Sequence, residues 1–394
     1  MPVLFAAVLV IMGSFAMLLP AIMFVLANLG LSNSFSTPII AIYSLAQFIA
    51  GPQWGRVSDK LGRKPVLAFA FAGGSLAYGG MSVFSETVPA LFICMALAGF
   101  CAGSIAVVYA AVSDLTTKQN RTKGMGLIGA AIGLAFVMGT AIGGSVSGAS
   151  ATEASINGPA QAAALACLLG AVVIVFFMKE TKTESDDVPS ASVQTAGRLY
   201  AFQHVARHPV LLQLCLLVFG FTLCLALMEP VIPRYINVHF GWGPVEMRNI
   251  FIFIGVILVV VQGTVVGRLA RRFGEMPITR VGLALMGTGL FIIAVLPNPV
   301  SLAFALICTS VGTALFNASA LSLASHQAHQ RERGAVLGVA QSMQALGRSI
   351  GPMMAGLLFD LNAGLPFYLG AGLVAIMLLT LFLMFQKTRQ SEYG

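Results

Sequence analysis

Apolar runs of 18 residues or more, with few or no charges inside them, recur along the whole chain. Blocks of that length fit the hydrocarbon core of a bilayer, about 30 Å thick, as helices. Inside lipid every backbone polar group must be satisfied within the segment, so a chain of such blocks folds as a bundle of membrane helices. Composition agrees: 58% of the 394 residues are hydrophobic and only 9% are charged. Soluble domains carry about 25% charged residues, so this chain could not cover a water-facing globule of its size.

The apolar blocks place spans at 3–27, 36–54, 66–84, 88–112, 124–148 and 159–178, then at 210–236, 249–266, 277–296, 299–323, 334–358 and 365–385. The expected fold is therefore all-α and integral to the membrane, with twelve transmembrane helices. The first block begins directly after Met1 and Pro2, with no basic segment or cleavage site, and reads as a retained span. The loops after spans 2, 4, 6, 8 and 10, with the C-terminal tail, hold 19 of the 22 Lys and Arg residues, the exceptions being Arg234, Arg248 and Arg348. Cytoplasmic loops are enriched in such residues, so both termini are expected on the cytoplasmic side of the cell (inner) membrane. The net charge of +8 reads as topology and not as nucleic-acid binding.

Residues 179–208 contain a charged, Ser-rich run without apolar periodicity and read as a cytoplasmic linker, ending in a short amphipathic helix near Leu199–Val205. They separate an N-terminal bundle (1–178) from a C-terminal bundle with a short tail (209–394). Cys94, Cys101, Cys167, Cys215, Cys224 and Cys308 all lie inside apolar blocks without a C-x-x-C pair. They read as packing residues and not as disulfides or metal ligands.

The two halves repeat. GRVSDKLGRKP at 55–65 matches GRLARRFGEMP at 267–277, so that Gly55, Arg56, Gly62 and Pro65 recur as Gly267, Arg268, Gly274 and Pro277, each 212 residues on. The same offset relates Arg121 to Arg333, Gly126 to Gly338, Gly139 to Gly351 and Gly144 to Gly356. Parallel six-span repeats about an axis along the membrane normal define a transporter architecture with a mid-membrane site between the halves.

On these residues the chain resembles the major facilitator superfamily. The signature between the second and third helices of that family matches Gly55, Ser58, Asp59, Lys60, Gly62, Arg63 and Lys64, with Val57 in place of Leu. GLAFVMGTAIGG at 133–144 is similar to the fifth-helix motif of its drug:proton antiporter branch, keeping Gly133, Gly139, Gly143 and Gly144 but with Thr140 where proline is usual. ALGRSIGPMMAGLLFD at 345–360 resembles the eleventh helix of tetracycline-type exporters. Met95 stands where the fourth helix usually has an arginine. The resemblance implies a monomeric transporter of two pseudo-symmetric six-helix bundles that takes a small-molecule substrate and protons and has no cofactor or metal. It also implies that spans 1, 4, 7 and 10 line a central cavity, with Met17, Met23, Phe24, Tyr109, Phe221, Phe316 and Asn317 as lining residues. Buried amides need partners, which singles out Asn317 and Gln344 for substrate contact.

Three groups carry the expected mechanism. Glu229, in LCLALMEPVIPRY, lies inside the seventh apolar block, while the other acids lie in loops or near span ends. Carboxylates are expensive there and face a cavity or a partner. Burial raises a carboxyl pKa and a nearby cation lowers it, so alternating exposure would let Glu229 take and release a proton in each cycle. The alternative is a structural ion pair. Arg348 lies about 21 Å along a helix that enters near Gly334, at a rise of about 1.5 Å per residue. Deep in the membrane it needs a carboxylate, carbonyls or water, and Glu229 or a substrate anion would serve. Asp59, among Arg56, Lys60, Arg63 and Lys64, is expected to clasp the positive N-terminal end of a helix, by resemblance the eleventh, and so to gate the cytoplasmic side. Gly133, Gly139, Gly143 and Gly144 allow close helix approach; the resemblance places them between the halves. His326 and His329, near Arg331, Glu332, Arg333 and Gly334, read as solvated loop residues.

No phosphate-binding G-x-x-x-x-G-K-(S/T) loop is present, so an ion gradient and not ATP is expected to supply the energy. The reading that follows is proton-coupled efflux of small lipophilic or amphiphilic compounds by alternating access. Transport of a specific metabolite, lipid or siderophore, or a non-transporting receptor or scaffold, are the alternatives. No histidine cluster or nucleophile elbow points to an enzyme.

Overall fold

A computed structural model describes residues 1–116, 121–181, 205, 207–327 and 333–392. Residues 182–204, which hold most of the expected linker, and the side chains of His326 and of 329–334 lie outside the described residues.

Among the described residues the chain is helical throughout. In order the helices are α1 (Pro2–Leu18), α2 (Ile22–Asn28), α3 (Asn33–Ser36), α4 (Pro38–Leu61), α5 (Arg63–Val83), α6 (Val88–Ala102), α7 (Ile105–Leu115), α8 (Arg121–Ser145) and α9 (Asn157–Phe177). The second repeat supplies α10 (Pro209–Met228), α11 (Ile232–Phe240), α12 (Pro244–Val260), a π-helical turn (Val261–Val265), α13 (Val266–Phe273), α14 (Glu275–Val295), α15 (Pro299–Gln327), α16 (Arg333–Leu361) and α17 (Leu365–Glu392). Nine helical segments of the described residues are long and apolar enough to cross a membrane, among them Pro2–Asn28, Val88–Val112 and Pro209–Phe240. The chain is a multi-pass membrane protein. The remaining expected spans, the fifth, eighth and eleventh, coincide with α8, with α12 to α13, and with α16.

Local chemistry sets the helix limits. Proline begins α1, α4, α6 and α10 near their first position, where its missing N–H costs nothing. The Glu246 carboxylate accepts the Gly243 N–H at 2.8 Å in the first turn of α12, half of a capping box. At the start of α15, Asn298 Oδ1 accepts the Ser301 N–H at 2.9 Å, and Ser301 Oγ accepts the Asn298 N–H at 3.4 Å. Expected spans 1, 4 and 7 are each interrupted, at 19–21, 103–104 and 229–231. Pro20 and Pro230 lie in two of these breaks, where each removes a helical donor.

The repeat is legible in the backbone. Gly62 (φ +98°) and Gly274 (φ +79°) each separate two helices. A positive φ strains any residue with a Cβ, which accounts for glycine at both. The helices that follow, Arg63–Val83 and Glu275–Val295, have the same length and the same 212-residue offset.

By contacts the chain forms two compact units. One comprises Met1–Val188 with Ile232–Val256, and the other Pro189–Val231 with Ile257–Gly394. The core of the first includes α1 packed on α8 and α9, α5 on α9, and α4 on α6; that of the second includes α14 packed on α15 and α17, and α10 on α16. Ile232–Val256 joins the first unit because α12 lies against α8: Phe136 and Phe251 meet edge to face at 5.6 Å, and a Cβ on Gly255 would strike the Val137 side chain.

Candidate functional site

Glu229 follows α10, with its N–H still bonded to the Leu225 carbonyl at 2.9 Å. Pro230 and Pro233 have no N–H to offer the carbonyls of Ala226 and Glu229, so the helix cannot run on regularly. The carboxylate thus sits where the seventh span breaks. Helix α16 reaches it by close approach. A Cβ on Gly347 would lie 3.1 Å from the Phe219 carbonyl oxygen and 3.1 Å from the Leu223 nitrogen, and one on Gly351 would collide with Ala226. Two glycines four apart therefore lay α16 directly on α10, and Arg348, between them, comes within electrostatic reach of Glu229. Both side chains keep accessible surface. Pro352, inside α16, leaves the Arg348 carbonyl without its helical donor as well.

The other expected lining residues divide. Phe221 and Phe316 stack on each other at 3.9 Å between centroids, 12° from parallel, and both are fully enclosed. In this structure they hold α10 to α15 and line no open space. Met17, Met23 and Phe24 are buried in the first unit. Asn317 and Gln344 are half-buried, and Tyr109 on α7 is exposed.

The signature loop is a compact polar cluster. Arg63 donates from Nη1 to Asp59 Oδ1 and to Ser58 Oγ, each at 2.6 Å, and from Nε to Asp114 Oδ2 at 3.1 Å. Ser58 in turn donates to the Gly55 carbonyl at 2.8 Å. Asp59 therefore pairs within its own loop, and 40% of its side chain stays accessible. Arg56 and Lys60 keep accessible surface. In the second copy, Arg271 and Glu275 occupy the positions of Asp59 and Arg63, so the charges are exchanged. Arg271 Nε donates to the Gly267 carbonyl at 3.2 Å, and Arg268 is exposed.

The fifth-span glycines serve two purposes. Gly139 and Gly143 lay α8 on α1, within their own repeat: a Cβ on Gly139 would meet Gly13 and Ala16, and one on Gly143 would meet Met17. This corrects the expectation that they all separate the halves. Gly144 alone abuts a residue of the second repeat, Arg248, whose Nη1 donates to Ser145 Oγ at 3.0 Å. Gly133 is half-buried on the same helix.

Sequence reasoning passed over Asp114, Glu180 and Gly347. The glycines of GRSIG carried a small-xxx-small signal. Asp114 and Glu180 lie 51 and 117 residues from Arg63, and no local pattern announces contacts at that range.

A helical membrane bundle with a repeated signature loop and an intramembrane carboxylate beside an arginine defines a membrane transporter and not an enzyme. The chain belongs to the Major Facilitator Superfamily, whose family model matches residues 4–352 and 302–393. It is 27% identical to the class B tetracycline resistance protein of Escherichia coli, over 88% of this chain and 83% of that one. It is also 27% identical to multidrug resistance protein 2 of Bacillus subtilis (strain 168), over 91% of this chain and 88% of that one. Among solved structures, the human organic anion transporter MFSD10 (TETRAN) superposes with a TM-score of 0.73 at 23% identity, covering 96% of this chain and 98% of that one. The nucleoside transporter NupG superposes with a TM-score of 0.77 at 14% identity, covering 97% of this chain and 98% of that one.

Proposed function

We propose that this chain is a proton-coupled antiporter that exports small lipophilic or amphiphilic organic compounds by alternating access. It sits in the inner membrane with both termini in the cytoplasm. The observation that carries the reading is Glu229 beside Arg348 where the seventh span breaks. A carboxylate and a cation with accessible surface inside a membrane span form a pair that a proton can open. Protonated Glu229 releases Arg348; deprotonated Glu229 holds it. That exchange couples proton entry to a change of helix contact between α10 and α16. The resistance proteins among its relatives support efflux as the direction of flow. In the opposite state the accessible face of Asp59 caps the eleventh helix.

The test is flux of ethidium and tetracycline in everted membrane vesicles, with and without an imposed pH gradient. Substrate accumulation that collapses with a protonophore is the expected result. Gradient-independent movement would exclude proton coupling. A second reading, export of organic anions held by Arg348, is favoured by the accessible guanidinium. It predicts that anionic dyes are carried in preference to ethidium.

A further inference from the structure

Helix α5 begins badly for its own dipole. The N-terminal end of a helix carries partial positive charge and four N–H groups without helical partners. Its first two residues are Arg63 and Lys64, and no acid lies in its first turn. Its counterpart α14, at the same place in the second repeat, opens with Glu275 and so carries a favourable charge of its own.

The missing acid in the first repeat comes from elsewhere in the chain. Glu180 lies three residues beyond the end of α9, at the root of the inter-repeat linker. Its Oε1 accepts the Arg63 N–H at 2.8 Å and its Oε2 accepts the Lys64 N–H at 3.1 Å. One carboxylate thus satisfies two orphan donors with charge-assisted hydrogen bonds. Gly62 makes room for it: a Cβ there would lie 2.5 Å from Glu180 Oε2 and 2.9 Å from Cδ. The residue that Glu180 fixes by its backbone, Arg63, is the one whose side chain gathers Asp59, Ser58 and Asp114.

From this geometry we infer that Glu180 is a positioning residue of the signature loop: it caps the third membrane helix from outside and fixes the Asp59–Arg63–Asp114 cluster to the root of the linker. The inference rests on the proposed gating role of that loop only for its effect on transport. The cap itself is independent of it. The two repeats then solve one problem in two ways, by an acid in the helix at Glu275 and by a borrowed acid at Glu180. Only the borrowed acid ties its loop to the linker.

Three measurements on the purified full-length protein decide the matter, with Glu180→Ala and the isosteric Glu180→Gln. Amide hydrogen exchange at Arg63 and Lys64 should speed up about tenfold in Glu180→Ala, less in Glu180→Gln, while the amides of 275–279 are unchanged. Unchanged exchange at Arg63 and Lys64 would overturn the cap. Maleimide labelling of Val57→Cys, on the exposed side of the loop, should rise several-fold with Glu180→Ala. A second change, Lys64→Glu, places an acid inside the first turn and should restore both readouts. Restored exchange without restored labelling would show that Glu180 caps the helix without positioning the loop. Ethidium transport in reconstituted vesicles should lose about tenfold in turnover with its KM within about twofold; a loss confined to KM would overturn the positioning role. If the unaltered protein does not move ethidium, the proposed function fails on that substrate, and exchange and labelling still decide the inference.

Discussion

Gly139 and Gly351, 212 residues apart, do the same work in the two repeats: each lets its helix lie against the first helix of its own half, on Gly13 and Ala16 in one and on Ala226 in the other. Internal symmetry here is a matter of backbone approach, since the side chains around the two contacts differ. Interfaces of this kind in membranes depend on small residues and van der Waals packing.

The first prediction concerns that contact. Gly351→Leu would force α16 away from α10 and separate Arg348 from Glu229. We expect a melting point lower by several degrees in detergent and loss of gradient-driven transport. Gly372, with open space around its Cβ position, is the control, and its change to alanine should alter neither.

Glu229→Gln removes the ionisable group and keeps the shape. Fluorescence-detected size exclusion should show a folded protein, and substrate binding should persist. Uptake driven by a pH gradient should fall to background. Full gradient-driven transport in this variant would remove Glu229 from the coupling mechanism.

Arg348→Lys keeps a charge but shortens its reach and loses the planar fork. Transport should drop about tenfold. Arg348→Ala should leave no coupled transport while allowing downhill leak, read as dye movement in vesicles without a gradient.

Removing the Arg63 guanidinium by Arg63→Ala leaves Asp59 and Asp114 facing each other without their cation. Like charges in proximity repel, so the loop should open, and Val57→Cys should react with maleimide several-fold faster. Asp59→Asn keeps a partner for Arg63 and should have a smaller effect in the same assay.

Phe221→Ala deletes one face of the stack with Phe316. Stacking alone contributes about 0.5–1.5 kcal/mol, so a lower melting point is expected. Substrate affinity should stay near that of the unaltered chain in a binding titration, because the ring faces Phe316 and no open space.

The sequence was a good guide wherever a contact follows from a regular period. The span limits, the repeat register and the neighbouring positions of Glu229 and Arg348 were all legible, because hydropathy and a constant offset report helices and their symmetry. The fifth-span glycines were legible as close-approach residues, though not in their partners: period alone does not say which neighbour a small face meets. Phe221 and Phe316 looked like cavity residues because an aromatic on an inner helix reads the same whether it points at a space or at another ring. Glu180 could not be read at all. Its role exists only when a chain segment 117 residues away ends in two bare N–H groups.

The π-helical turn at Val261–Val265 carries a consequence for biogenesis. It divides the eighth apolar block into α12 and α13, and that block is absent from the nine described segments able to cross a membrane by length and apolarity alone. A segment so interrupted has little tendency to partition into lipid unaided, and neighbouring helices must supply what it lacks. The machinery that threads this chain into the bilayer would therefore have to hold the segment back until a companion helix arrives. The order of synthesis thus becomes part of how the transporter is built.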